Sequence, residues 1–398
     1  MNLAYEVRSA AIRAVRTGFH VIGLRNYPSK VLHLKPGKRI PAKSGIRSVR
    51  FQKGYKVLLK KTSNRHQFLP VVQRTNQWLQ TQPTWMARLE GAKVFGPDVA
   101  VCTQDGHLLG GASLAWEKKI EYHPVFRSPQ FRRIHHLEKP AALLAVTGGN
   151  TYYHWMLECL PRLAMLKNLL CKKPEILLVV NGLSQKFQKD ALALMGIPSK
   201  RCVSLEDYPA LTFKELWVPS YPCDMGICTP KMAAFLRQGL FRGCDQGWPK
   251  KIFLVGRRNG RRLLHQESIC REVERLGFQS IDPEEFSVAK QASMFHAAEV
   301  ILAPHGAALA NIIFCRKGAR VIEMFSGNYV NLCYQHLAGI CGLRHFSVHT
   351  WDLRSRLLDL DSRRMENNPS PITITPQDLF PVLSKAGILQ GSFRPGNP

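Results

Sequence analysis

The stretch EVILAPHGAALANIIF at Glu299–Phe314, followed by VIEMF at Val321–Phe325, predicts the fold class of this chain. A short apolar run is typical of a buried strand, Gly306 permits a tight turn, and a helix and a second strand follow. Strand-like and helix-like segments alternate from Lys251 to Phe325, which is typical of a Rossmann-like α/β domain. With 398 residues, the chain is long enough for about two domains.

A second stretch, TGGNTYYHWMLECLPRL at Thr147–Leu163, predicts a turn that opens a helix. His154 and Glu158 are four residues apart, so they share one face of that helix. A neutral histidine can take a proton from an acceptor hydroxyl while a carboxylate beside it fixes its tautomer, or Glu158 can itself be the base. These two residues are the candidate catalytic pair. Their spacing is not HExxH, so the pattern does not predict zinc.

Three neighbours of this pair are candidate contacts for an acceptor or a sugar. Asn150 lies in the flexible turn before the helix, and Arg162 follows Pro161 at a kinked or tightly packed helix end. Trp155 can stack on a sugar ring or fill the core. The sequence leaves both interpretations of Trp155 open.

The segment His305-Gly306-Ala307 is a candidate phosphate site. Gly306 allows the backbone to approach a ligand closely, and a helix N-terminus at Ala307 would present free N–H groups to an anion. Asn311 lies on the same predicted helix, and Glu323 ends the next strand, where a carboxylate can accept both hydroxyls of a ribose. The structural alternative is a strand–turn–helix with a packed histidine. Neither GxGxxG nor GxxxxGK[ST] occurs in the sequence.

An arginine-rich loop, GRRNGRR, follows the predicted strand Lys251–Val255. Guanidinium groups suit bidentate recognition of phosphate, so we expect one or two of the four arginines to be functional, with Arg257 and Arg262 as the candidates for donor binding. The alternative is a solvated loop in a chain that is rich in arginine throughout.

The formal net charge is +28, and residues 1–75 hold seventeen Lys and Arg but only one acid, Glu6. Such a segment is either a solvated basic arm or a surface for an anionic partner, for which we consider lipid headgroups, a charged polysaccharide or nucleic acid. Residues 2–24 are amphipathic on a helical wheel. They can lie on an anionic membrane surface or pack on the body of the protein.

Cysteine usage and hydropathy predict an intracellular chain. The eleven cysteines include no CxxC pair, which favours a reducing compartment. No apolar run reaches the roughly 18 residues that a membrane-spanning helix needs. Arg13, Arg16 and Arg25 interrupt the region that a signal peptide would keep apolar. We therefore expect a cytoplasmic location, with peripheral contact at the inner face of the plasma membrane as an extension of the basic N-terminus.

Three ordered blocks of the sequence together resemble glycosyltransferase family 61, the group also described as domain of unknown function 563. The first block runs from Gly148 to Leu163, the middle block from Arg257 to Gln266, and the last block from Gln291 to Glu323. Two positions depart from the family pattern. Glu158 stands where the family usually has Asp, and His265-Gln266 stand where it has Asn-Glu.

The resemblance implies a GT-B-like α/β fold, in which two Rossmann-like domains face a cleft, here with a basic N-terminal extension. It implies an inverting transfer from a nucleotide sugar, usually a uridine diphosphate (UDP) sugar, to a glycan or lipid-linked acceptor, with no metal or other cofactor. It is similar to the bacterial members linked to capsule or surface polysaccharide. The expected parts are the extension at 1–80, an acceptor-side domain at 81–243, a nucleotide-sugar domain at 250–360 and a polar tail at 361–398.

Two other hypotheses remain open. The charge alone would suit a polyanion-binding or nucleic-acid-binding protein, although the sequence contains no signature of a specific nucleic-acid module. The substitution at His265-Gln266 would suit a degenerate transferase that binds a sugar nucleotide without turnover.

Overall fold

The computed structural model describes residues 28, 30–54, 56–59, 77–115, 119–126, 134–222, 226–243, 247–255, 262–326, 329–349 and 371–389. The chain divides into two compact units. Unit 1 comprises residues 1–55 and 81–224, and unit 2 comprises residues 56–80 and 225–398. The elements of both units confirm the predicted mixed α/β class.

Short strands make up most of the regular structure. In chain order they are β1 (Lys30–His33), β2 (Ile46–Gln52), β3 (Lys56–Leu59), β4 (Gln77–Gln80), β5 (Thr84–Leu89), β6 (Lys93–Phe95), β7 (Ala100–Cys102), β8 (His107–Gly110), β9 (His135–Leu137), β10 (Ala141–Leu143), β11 (Leu177–Val180), β12 (Cys202–Ser204), β13 (Ala210–Phe213), β14 (Leu216–Pro219), β15 (Lys251–Leu254), β16 (Gln279–Ile281), β17 (Val300–Pro304), β18 (Arg320–Phe325) and β19 (Arg344–His349).

The longer helices lie between these strands. They are α1 (Arg162–Lys172), α2 (Lys186–Leu194), α3 (Pro230–Leu240), α4 (Gln266–Arg275), α5 (Val288–Ala297), α6 (Cys333–Cys341) and α7 (Pro376–Lys385). A π-helix spans Trp155–Cys159 and a 3-10 helix spans Ala307–Phe314. No helix among the described residues is both long enough and apolar enough to cross a membrane.

Unit 1 is built on two sheets. One has the order β1-β8-β7-β6-β13-β9 and the other β12-β11-β10-β14-β5-β2. The first four strands of the second sheet are parallel, and β5 and β2 add antiparallel to its edge. A core of buried apolar side chains, including Leu143, Val179 and Leu216, packs around these strands.

The order of the parallel strands places a topological switch point beside β10. From β10 the chain moves outward to β11 and β12, and then returns to the other side of β10 as β14. In open α/β sheets, ligands bind outside the carboxyl ends of the strands at such a point. The loops after β10 and β14 are therefore the positions where this fold favours a site.

Part of the basic N-terminal stretch belongs to the folded unit. Strand β1 pairs in parallel with β8, and β2 pairs antiparallel with β5. Residues 30–33 and 46–52 are therefore sheet strands of unit 1, because their backbones complete its two sheets, and they are not a separate arm. The amphipathic segment expected at residues 2–24 lies outside the described residues.

Unit 2 contains a fully parallel sheet with the order β16-β15-β17-β18-β19. Its central strands are buried, which suits their near-continuous apolar sequences. Helices α4 and α7 contribute to one apolar core with these strands, through residues such as Ile269, Val273 and Leu383. The order reverses between β15 and β17, so a second topological switch point lies outside their carboxyl ends.

Two predicted helices differ in winding from a regular α-helix, and one of them lies in unit 2. The predicted helix from Ala307 to Phe314 is a 3-10 helix, with Leu309 N donating to Gly306 O at 3.1 Å. Every residue from Leu309 to Phe314 is buried. A helix that is buried on all sides is stabilised mainly by tertiary packing, and we attribute its 3-10 winding to that packing.

Candidate functional site

In unit 1, the loop after β10 is tied to the loop after β14 at the switch point. The backbone N–H of Thr147 donates to the hydroxyl of Tyr221 at 2.9 Å. The hydroxyl of Thr147 donates to the carbonyl of Asp98 at 2.9 Å. These bonds fix the start of the turn that leads to His154.

His154 and Glu158 form a hydrogen-bonded pair. Nδ1 of His154 lies 2.9 Å from Oε2 of Glu158, and the two side chains are only 16% and 8% exposed. Oε1 of Glu158 is buried and has no hydrogen-bond partner among the described residues. A carboxylate oxygen can only accept a hydrogen bond, so Nδ1 of His154 donates this bond to Glu158.

The backbone of this segment is a π-helix, where the sequence predicts a regular helix. Leu160 N donates to Trp155 O at 2.9 Å, which is the wide turn of that helix type. The wide turn directly precedes Pro161, which lacks an N–H and whose ring would meet the carbonyl of Leu157 in a regular α-helix. Single π-turns of this kind occur frequently at functional sites.

Trp155 and Arg162, both predicted to contact an acceptor or sugar, are enclosed in unit 1. Neither side chain is exposed to solvent. Arg162 donates through Nη1 to the carbonyl of Ala145 and through Nη2 to that of Ala112 at 3.4 Å, and its guanidinium lies 4.7 Å from the ring centroid of Tyr221. Burial lowers the pKa of Arg162. In this structure both residues support the site from within, and direct contact with an acceptor stays a prediction.

Asn150, the third predicted acceptor contact, lies in a polar cluster at the carboxyl edge of the sheet. Its Nδ2 donates to Oε1 of Glu206 at 3.1 Å, and its Oδ1 accepts from Gln188 at 2.9 Å. The hydroxyl of Ser184 donates to the same Glu206 oxygen at 3.0 Å. Sequence reasoning missed Glu206 and Ser184. Their positions just after β12 and β11 are the signal that could have found them.

In unit 2, Glu323 lies between two histidines. The ring N–H at Nδ1 of His305 donates to Oε1 of Glu323, and that at Nε2 of His345 donates to Oε2 at 2.7 Å. Glu323 is fully buried, and His305 and His345 are 7% and 6% exposed. Both carboxylate oxygens therefore have imidazole partners, which differ from the ribose hydroxyls expected from the sequence.

The pKa of Glu323 reflects these contacts. Burial raises the pKa of its carboxyl, but the electrostatic interactions and hydrogen bonds with His305 and His345 outweigh the effect of burial. The pKa therefore lies below its ordinary value. Glu323 is an ionised acceptor that holds His305 at the end of β17.

The turn at Gly306 does not require glycine on steric grounds. Its backbone is extended, with φ −172° and ψ 167°. A Cβ built on it would lie 3.7 Å from the carbonyl oxygen of Pro304, which is ordinary van der Waals contact. Neither the backbone angle nor the space therefore excludes a side chain, which leaves a close ligand approach as a reason for glycine here. Ala307 begins the 3-10 helix that follows.

Asn311 and Arg262 occupy contrasting positions. Asn311 is fully buried, and its Nδ2 donates to Oε1 of Gln291 at 2.8 Å, which joins the 3-10 helix to α5. Arg262 is exposed, and its carbonyl accepts from Ile372 N at 2.9 Å. Arg257 lies in residues 256–261, outside the described residues.

Residues 152–322 match the family model of Glycosyltransferase 61. The matched region begins just before His154 and ends one residue before Glu323, so it includes the candidate pair of unit 1 and the turn at His305. The match covers less than half of the chain, and no curated protein matches it significantly.

The match assigns glycosyltransferase activity to this region, and a glycosyltransferase binds a donor and an acceptor. The matched region contains His154 and Glu158 of unit 1 and His305 of unit 2, and Glu323, the partner of His305, directly follows it. Each unit therefore carries a hydrogen-bonded imidazole and carboxylate close to the carboxyl ends of parallel strands. A base and an anion-binding group are the two kinds of residue that sugar transfer from an activated donor needs.

Proposed function

We propose that the protein is an inverting glycosyltransferase that moves a sugar from a nucleotide donor, with UDP as the nucleotide, to a hydroxyl of a glycan or lipid-linked acceptor. The observation that carries the proposal is the 2.9 Å contact between His154 Nδ1 and Glu158 Oε2 within the glycosyltransferase 61 region. It supplies an imidazole that a carboxylate orients, and we assign proton transfer to its other ring nitrogen, Nε2.

In the proposed reaction, Nε2 of His154 takes the proton of the acceptor hydroxyl. The acceptor oxygen then forms a bond to the anomeric carbon of the donor sugar. The bond from that carbon to the diphosphate breaks, and the nucleoside diphosphate leaves with the bonding electron pair. Glu158 stabilises the imidazolium that forms, because its Oε2 accepts from Nδ1–H. Glu158 as the base, acting through its buried Oε1, is the alternative.

The donor side of the proposal uses the switch point of unit 2. Two segments that the sequence predicts to bind phosphate follow the two strands that flank this point. The arginine loop with Arg257 and Arg262 follows β15, and His305-Gly306 follows β17. Guanidinium, imidazole and backbone N–H groups there would stabilise the charge that develops on the leaving diphosphate, without a metal or other cofactor.

The finer features of the proposal come from the family resemblance. We extend the proposal to a GT-B architecture, a role in the synthesis of bacterial surface polysaccharide and a cytoplasmic location at the inner face of the plasma membrane. The high positive charge supports an anionic membrane or a lipid-linked acceptor as the partner.

A thermal-shift screen of the full chain against a panel of nucleotide sugars tests the proposal. A bound donor raises the melting temperature by mass action, so the best hit identifies both base and sugar. A donor-hydrolysis assay with that sugar follows. Stabilisation with hydrolysis supports a transferase, and stabilisation without hydrolysis supports a degenerate one. No shift with any nucleotide, together with salt-sensitive binding to a polyanion, would overturn the proposal.

A further inference from the structure

Three adjacent strands of unit 2 bring two histidines to one carboxylate. His305 follows β17, Glu323 lies in β18 and His345 lies in β19. We call these residues the His–Glu–His cluster. The sequence separates its first and last members by 40 positions, and only the parallel pairing of β17, β18 and β19 unites them.

The hydrogen bonds of the cluster assign its protons. Glu323 is ionised, because its pKa lies below the ordinary value, and an ionised carboxylate can only accept. His305 must therefore carry a proton on Nδ1, and His345 must carry one on Nε2. A fully buried carboxylate favours a positive charge beside it, which a second proton on one of the two imidazoles would supply. The open question is which imidazole carries it.

The surroundings of the two rings place that charge on His305. Among the described residues, Nδ1 of His345 is buried without a hydrogen-bond partner, and a charged N–H enclosed there would lose its solvation with nothing in return. A neutral His345 avoids that loss.

His305 has the surroundings that a cation prefers. Its ring stacks on Phe325 at a centroid distance of 5.1 Å and an interplanar angle of 25°, and Tyr329 and Tyr334 lie at 5.3 and 5.2 Å. Aromatic faces attract cations. Among the described residues, no hydrogen bond is made to Nε2 of His305, so an N–H there is available to an anionic ligand.

We propose that His345 is a positioning residue for donor binding. It donates to one oxygen of Glu323, holds the carboxylate so that the other oxygen accepts from His305, and thereby keeps His305 as an imidazolium whose Nε2–H binds the diphosphate of the nucleotide. The role in donor binding rests on the proposed function. The assignment of protons and charge within the cluster does not.

Two substitutions separate this role from a merely structural one. His345→Gln keeps an N–H donor near the position of Nε2, whereas His345→Phe keeps a ring of similar size and removes the donor. NMR of the ring nitrogens in full-length protein labelled with ¹⁵N-histidine measures the protonation state of each imidazole. Spectra of His305→Gln and His345→Gln assign the signals of the two histidines. Titration with UDP measures binding in the same samples.

At pH 7, wild-type protein should show His305 protonated on both nitrogens and His345 protonated on Nε2 alone. His345→Gln should keep the His305 signal and bind UDP within about threefold of wild type. His345→Phe should lose the doubly protonated His305 and bind UDP at least about tenfold more weakly.

Three results would overturn the positioning role. They are a neutral His305 in wild type, a doubly protonated His345, and an unchanged His305 signal in His345→Phe. The wild-type spectrum decides the first two even if a variant fails to fold. If wild type shows the expected protons and UDP does not bind, the proposed function fails and the assignment within the cluster stands.

Discussion

Nδ1 of His154 lies 2.9 Å from Oε2 of Glu158, at the start of a π-helix beside the switch point of the parallel strands of unit 1. In the proposed reaction, His154 is the base and Glu158 is the partner that orients it. These two roles predict different effects of substitution.

We expect His154→Ala to lower sugar transfer by more than about tenfold, which is typical of the loss of a general base. The matched control is His136→Ala, because His136 also pairs with a carboxylate, Glu138 at 2.9 Å, but at an exposed position. Transfer rates of the two variants and wild type, measured with the donor found by thermal shift, make the comparison. Wild-type turnover in His154→Ala would contradict the assignment.

Glu158→Gln distinguishes the partner from the base. Glutamine can still accept from Nδ1–H of His154 but has no charge to stabilise the imidazolium. If His154 is the base, we therefore expect a smaller loss of transfer than in His154→Ala. The two rates are measured side by side at saturating donor. A larger loss in Glu158→Gln than in His154→Ala would instead identify Glu158 as the base.

Gly306→Ala should weaken donor binding without destabilising the fold. The backbone at Gly306 is extended, and an added Cβ would lie 3.7 Å from the carbonyl oxygen of Pro304, so we expect the free energy of unfolding to change by less than about 0.5 kcal/mol. A ligand that approaches the backbone would meet the new methyl group, so UDP affinity should fall about tenfold or more.

Gly149→Ala is the contrasting variant for this test. A Cβ there would lie 2.0 Å from Oδ1 of Asn181, whose amide bonds both the N–H and the carbonyl of Val146. We expect it to lower stability measurably in a denaturant titration. Equal UDP binding by Gly306→Ala and wild type would show that no ligand approaches Gly306.

Arg162→Leu should lower the free energy of unfolding by about 2–4 kcal/mol, because it removes two hydrogen bonds to buried carbonyls and the contact with Tyr221. Arg316→Leu, at an exposed position, should change it by less than about 0.5 kcal/mol. Urea unfolding of both variants is the measurement. Equal effects would mean that Arg162 is not a structural anchor of unit 1.

His123 should make stability depend on pH. The side chain is buried, its Nδ1 accepts from Val125 N at 3.1 Å, and Nε2 lies 3.3 Å from Asp98 O. Burial lowers the pKa of His123, and the bond to Asp98 only partly opposes it. The unfolded chain therefore takes up the proton first.

The contribution of His123 to the free energy of unfolding is therefore complete above the pKa of this histidine in the unfolded chain, about 6.5. As the pH falls from there toward its pKa in the folded protein, the free energy of unfolding decreases by at most about 1.4 kcal/mol per pH unit. Melting temperatures between pH 7.5 and pH 5 test this. His123→Asn should flatten the profile relative to wild type, whereas His136→Ala should leave its slope unchanged. A slope that is the same in all three would contradict the prediction.

Much of the local structure was predictable because it depends on neighbours in sequence. The strand before His305, the helix that ends before Gly277 and the helix that ends before Gly196 follow from periodicity and turn chemistry, and both glycines have positive φ, at 80° and 75°. The four-residue spacing of His154 and Glu158 likewise predicted their contact.

The remaining site residues were not predictable, because their partners come from distant strands. Glu206 reaches Asn150 only because β12 and β10 end at the same edge of the sheet, and His345 reaches Glu323 only through the pairing of β19 with β18. The burial of Arg162 also depends on carbonyls from two separate segments.

The sequence by itself determined the α/β class, the two segments that carry the candidate chemistry and the resemblance to sugar transferases, because strand and helix periodicity and short motifs are local properties. The tertiary structure alone decided which carboxylate each histidine meets, and which polar side chains are enclosed. Strand order and register decide those partners, since they bring residues from separate parts of the chain within hydrogen-bonding distance.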